Sequence, residues 1–159
     1  MPIVHNTFTI ERQYKAAPAR VFAAFSNPET KRRWFVEGEG WHVAEYSVDF
    51  RVGGIESSRF VFAGSKAKGA PPAGTPMGND TVYQDIVPNE RIVFAYTMTV
   101  GDNRISASLA TVEIAASGTG TKLTYTEQGA YFDGADSPKM REGGWNELLG
   151  SLERELEKA

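Results

Sequence analysis

The sequence predicts an α+β fold: a curved antiparallel sheet of about seven strands wrapped around a long C-terminal helix, with two short helices after the first strand. Three observations carry this prediction. Residues 41–130 alternate apolar and polar side chains with period two and are cut by turn signals, the mark of successive short strands. Residues 142–158 instead place Trp145, Leu148, Leu149, Leu152 and Leu156 at i, i+3, i+4, i+7 and i+11, one stripe of an amphipathic helix. Ahead of the strand-rich region stand one alternating segment and two proline-led helix starts.

In chain order, residues 7–14 put Phe8, Ile10 and Tyr14 on one side of a half-buried strand. Ala17-Pro18 opens a short helix, because proline fits the first helical position, where no N–H is needed. Asn27-Pro28-Glu29 opens another, with Asn27 as N-cap and Glu29 facing the positive end of the helix dipole. That second helix is expected to run through residues 31–35, with Lys31-Arg32-Arg33 as a solvated basic face. Residues 42–50 and 55–62 form a hairpin turned at Gly53-Gly54. Residues 63–79, rich in glycine and proline, are expected to be a flexible loop, either a lid on which Lys66 and Lys68 attract an acidic ligand or a tolerated insertion. Strands follow at 80–87, 91–100, 105–115 and 121–130. Short turns join them, so sequence neighbours are expected to pair antiparallel. Ser137-Pro138 is a second possible start for the final helix.

The chain has 159 residues, 41% hydrophobic and 23% charged, which suits one domain spanning 1–159 with a substantial core. A net charge of −3 gives no general attraction to nucleic acid or to an anionic membrane. The absence of cysteine excludes disulfides, thiolate metal sites and a cysteine nucleophile. Neither a signal peptide nor a membrane-spanning apolar run is visible, so a soluble cytoplasmic protein is expected. With two histidines and no ligand spacing, no metal site is expected, and nothing implies a cofactor. No glycine-flanked serine elbow is present, and no catalytic residue is assigned.

The site expectation rests on patterning. On the last strand Leu123 and Tyr125 point inward, and strict alternation carries Glu127 to the same face. A carboxylate there could serve as acid, base or ligand anchor. The competing and preferred reading puts Glu127 where the strand leaves the sheet, reaching water or pairing with an arginine. The aromatic set Trp34, Phe35, Trp41, Phe60, Phe62, Tyr83, Phe94, Tyr96, Tyr125 and Trp145 could line a pocket or fill a core. Tyr96, Tyr125 and Trp145 are the better pocket residues because each has a polar handle, and Met98 would make the wall adaptable. Leu149 joins them from the helix. Gly143-Gly144 is unfavourable inside a helix; the pair marks the helix start or leaves room for a guest.

Six phrases, in order along nearly the whole chain, carry a family resemblance: Ala17-Pro18-Ala19-Arg20-Val21-Phe22-Ala23-Ala24-Phe25, Arg33-Trp34-Phe35, Asp49-Phe50-Arg51-Val52-Gly53-Gly54, Ile86-Val87-Pro88-Asn89-Glu90-Arg91-Ile92-Val93-Phe94, Thr121-Lys122-Leu123-Thr124-Tyr125-Thr126-Glu127, and Gly144-Trp145 with the leucines after it. On these the sequence resembles the family named for the activator of heat-shock protein 90 ATPase, in the START-related superfamily (SRPBCC) with the polyketide cyclases. The resemblance implies a helix-grip (START/Bet v-like) fold, with the long helix laid over the curved sheet, and a cavity that admits an apolar ligand. It makes a non-catalytic binder of a small hydrophobic molecule the expected function. The alternatives are a protein-interaction module acting on a chaperone ATPase in stress response, and a cyclase-like enzyme using Glu127 or a tyrosine. Monomer and homodimer remain open.

Overall fold

The structure, a computed structural model, describes residues 2–37, 41–65 and 70–158. Among them seven strands form one open antiparallel sheet: β1 (Ile3–Tyr14), β2 (Trp41–Val48), β3 (Ile55–Phe62), β4 (Pro76–Val87), β5 (Arg91–Val100), β6 (Asn103–Ser117) and β7 (Gly120–Phe132). The order across the sheet is β1-β7-β6-β5-β4-β3-β2, so consecutive strands are neighbours from β2 to β7, and β1 returns to pair with the last of them. This is the arrangement that short turns impose. After β1 come α1 (Pro18–Ser26) and α2 (Pro28–Lys31), then a π-helical turn (Arg32–Val36). The chain closes with α3 (Pro138–Leu156).

Each boundary has a local cause. The Asn27 side chain accepts hydrogen bonds from the Glu29 and Thr30 N–H groups, and Pro28 follows it. Ser137 Oγ accepts from Met140 N, with Pro138 at the first position of α3. A Cβ on Gly54 would sit 2.0 Å from the Asp49 carbonyl oxygen, so this link between β2 and β3 closes only on glycine. Trp145, Leu149 and Leu152 are buried along α3, with Leu148 and Leu156 packed beside them, as the spacing predicts. Tyr125 stacks on Trp145 with ring centroids 4.1 Å apart, and the Tyr14 hydroxyl donates to the Leu149 carbonyl at 2.9 Å. Helix and sheet are thereby joined through rings as well as aliphatic side chains.

Three expectations need correction. The loop proposed for 63–79 ends earlier, because β4 begins at Pro76 and pairs with both β3 and β5. Its glycine and proline disguised it; the Arg59 side chain lies across Gly78, where a Cβ would meet Nη1 at 2.9 Å and that side chain would have to shift. The second short helix ends in a π turn closed by Glu37 N–H donating to the Arg32 carbonyl, which buries both Trp34 and Val36. Lys31 is buried rather than solvated. The lysines expected to attract an acidic ligand, Lys66 and Lys68, lie outside the described residues.

Candidate functional site

Between the inner face of the sheet and α3 lies a half-open cavity of about 1450 Å³. Of the aromatic and sulfur side chains singled out in the sequence, Trp34, Phe60, Phe62, Tyr96, Met98 and Trp145 line it. Tyr83, Phe94, Tyr125, Glu127 and Leu149 do not line it; they are buried in the layer behind. The wall also contains Ser58, Met77, Asn79, Ile105, Met140 and Arg141, none of which stood out in the sequence. Gly143 and Gly144 both lie inside α3, and a Cβ at either would meet nothing within 4 Å. Helix α3 starts at Pro138, so the pair does not mark its start, and Gly144 is part of the cavity wall.

Behind the wall, one buried carboxylate organises a polar network. Glu127 is fully buried well inside β7, which corrects the preference for a strand-end position, although the arginine partner in that reading is present. Its Oε1 accepts hydrogen bonds from the Tyr96 and Tyr125 hydroxyls, both at 2.6 Å. Oε2 accepts from the Ser108 hydroxyl at 3.0 Å, the Tyr131 hydroxyl at 3.3 Å and Arg141 Nη1 at 3.3 Å. Arg141 Nη1 also donates to the Tyr96 hydroxyl at 3.0 Å, and Nη2 donates to Ser106 Oγ and Asp136 Oδ2, each at 2.6 Å. Trp145 Nε1 donates to the Tyr96 oxygen at 3.2 Å. The network ties α3 to β5, β6 and β7, and every member is satisfied by another.

The electrostatics follow from this enclosure. Burial first, and the neighbouring Glu127 charge second, push the Tyr96 phenol well above its ordinary range. Tyr125 and Tyr131 are raised too, chiefly by burial. For Arg141, burial opposes the charge, but Tyr96, Glu127 and Asp136 outweigh it and the guanidinium titrates higher than usual. Arg141 had a legible signal: it stands four residues before Trp145 and so extends the helical stripe by one turn.

A second buried carboxylate was missed altogether. Glu56 on β3 accepts from Lys31 Nζ at 3.0 Å and from the Tyr46 hydroxyl at 3.0 Å, and Tyr83 donates to it as well. Lys31 Nζ lies 4.4 Å from the centroid of the Phe35 ring, a cation–π contact. Glu56 precedes Ser58, Phe60 and Phe62 in the inward alternation, so the strand pattern does point to it. Neither Glu56 nor Lys31 lines the cavity.

Among the described residues no group of three or more His, Cys, Asp and Glu is arranged to hold a metal ion. Within the same residues no helix is long and apolar enough to cross a membrane.

Comparison with curated proteins finds no match. Solved structures do match. Protein Mll3558 from Rhizobium loti is 52% identical over 98% of this chain and 99% of its own, with a TM-score of 0.83. A Rhizobium leguminosarum protein is 42% identical over 99% and 98%, with a TM-score of 0.88. The AHSA1-like protein from Aeromonas hydrophila, at 19% identity over 96% and 92% and a TM-score of 0.68, shares the fold. The family model described as Activator of Hsp90 ATPase homolog 1-like protein matches residues 15–157. With that match over most of its length, and with the helix-grip architecture described above, the chain belongs to the Activator of Hsp90 ATPase homolog 1-like family.

Proposed function

We propose that this protein binds a small apolar or aromatic molecule in the cavity between the sheet and α3, without transforming it. The cavity itself carries the reading: about 1450 Å³, walled by Trp34, Phe60, Phe62, Met98 and Trp145, with a few polar groups set among them. Mostly apolar concave sites with sparse, placed polar groups are the usual form of a small-molecule site. Acid–base catalysis is disfavoured, since Glu127 is held by five donors and does not reach the wall. It positions Tyr96 and Arg141, which do. A cytoplasmic location, with the chain acting as monomer or homodimer, completes the proposal.

A second reading, modulation of a chaperone ATPase, is suggested by the family's description. One surface favours it: Ile55, Val82 and Leu109 are exposed, and the strand register runs from Ile55 to Val82 to Ala95 to Leu109 across the outer sheet face.

The test is a thermal-shift screen of the purified chain against fatty acids, sterols, flavonoids and aromatic polyketides, repeated on Gly144→Phe. A ligand that binds only the folded state stabilises it by about 2.7 kcal/mol at a hundredfold excess over Kd. We expect a shift in the native chain and its loss in Gly144→Phe, which fills the cavity from a position with open space. Stimulation of a chaperone ATPase, undiminished in Gly144→Phe and with no ligand shift in the native chain, would replace this reading by the second.

A further inference from the structure

The cavity wall contains a polar pair that the Glu127 network leaves out. Ser58 on β3 and Asn79 on β4 are direct partners across the two strands, and Met98 on β5 continues the same row. All three line the cavity. Ser58 is 2% exposed and its side chain belongs to the cavity wall. Asn79 Oδ1 is buried and has no hydrogen-bond partner. Around them the wall is apolar, with Phe60, Met77 and Trp34. A buried polar group without a partner is destabilising, and such groups in native proteins await a water or a ligand. A half-turn of the Asn79 amide exchanges its oxygen and nitrogen, so the pair can offer a donor and an acceptor side by side.

Charge narrows the class further. Arg141 is the buried cation among the described wall residues, and both Glu127 and Asp136 already hold it. Its Nη hydrogens are engaged by Tyr96, Glu127, Ser106 and Asp136. The other charged residues described in the wall, Glu37, Glu147 and Arg154, are exposed. An anionic group carried into the interior would lose its hydration and meet a cation already neutralised.

We propose that the ligand is an uncharged molecule with an aromatic or alicyclic body and a carboxamide or hydroxy-carbonyl group, and that this group docks on the Ser58 hydroxyl and the Asn79 amide. This rests on the cavity-binding reading and adds to it the ligand's charge and the residues that orient it. Ser58 and Asn79 then act as specificity residues, and the aromatic walls supply the bulk of the contact.

Isothermal titration with three probes of one shape tests it: 2-naphthamide, naphthalene and 2-naphthoate at neutral pH. Two net hydrogen bonds predict that 2-naphthamide binds about tenfold more tightly than naphthalene, with 2-naphthoate weaker than 2-naphthamide. Ser58→Ala and, separately, Asn79→Leu should each bring the naphthamide-to-naphthalene affinity ratio toward one. Equal binding of naphthamide and naphthalene, or tightest binding of naphthoate, would overturn the docking pair while leaving cavity binding in place. Binding of none of the three would overturn both.

Discussion

Glu56 and Glu127, two of the buried carboxylates among the described residues, have nearly the same chemistry and different work. Glu56 and Glu127 each accept hydrogen bonds from two or more tyrosines, and each is paired with a buried cation. The Glu56 centre joins α2 to the sheet at β2, β3 and β4, and its cation is roofed by the Phe35 ring. The Glu127 centre joins the start of α3 to β5, β6 and β7, and two of its members, Tyr96 and Arg141, form part of the cavity wall. A buried ion pair therefore says little about function by itself. What distinguishes the two centres is which surface their outer members present.

The comparison is sharpest when each cation is removed. Arg141→Met leaves Glu127 and Asp136 without their cation and should cost about 3–5 kcal/mol in urea unfolding, with loss of ligand-induced stabilisation. Lys31→Met should fall near the lower end, about 3 kcal/mol, because it deprives one carboxylate of its cation rather than two, and ligand binding should survive. Equal effects of both variants on ligand binding would erase the distinction. Replacing both partners, Glu127→Leu with Arg141→Met, should be milder than the sum of the single changes by about 1–3 kcal/mol, since the Glu127–Arg141 pair is then removed whole and only Asp136 loses its cation.

The tyrosines provide a pH test across both centres. All six tyrosines of the chain are shifted upward, Tyr46 and Tyr83 at the Glu56 centre, Tyr96, Tyr125 and Tyr131 at the Glu127 centre, and Tyr14 beneath α3. Burial is the first cause in every case. Above the ordinary value of 10.0 the unfolded chain releases these protons while the folded chain keeps them. Their stabilisation is thus fully present below about pH 10 and declines above it. Tyrosinate absorbance should stay low through that range and then rise with unfolding. Stepwise ionisation of a folded chain would show that one centre is more open than its geometry indicates.

The smallest expected effect separates helix stability from cavity shape. Gly143→Ala, at an exposed helical position with open space, should stabilise the chain by about 1 kcal/mol and leave ligand binding unchanged. Gly144→Phe differs in pointing its new side chain into the cavity wall. If both variants bind ligand equally, the wall position of Gly144 is not in the binding path.

Periodicity alone determined the strand succession after residue 41, the inward faces carrying Phe8, Ile10, Leu123 and Tyr125, and the stripe of α3, because alternation and the 3.6-residue repeat are local geometry. Proline and asparagine at the helix starts were equally legible. Tertiary structure alone decided the rest. The start of β4 at Pro76 depends on partners on both sides, which outweigh poor strand propensity. The fate of Glu127, Arg141, Lys31 and Glu56 depends on which opposite charge lies across from each, and those partners are 14 residues away for Arg141 and Glu127 and 25 for Lys31 and Glu56. Sequence spacing on one element shows which face a charged side chain occupies, but only the packing of a second element against that face determines whether the charge meets water, a partner or a ligand.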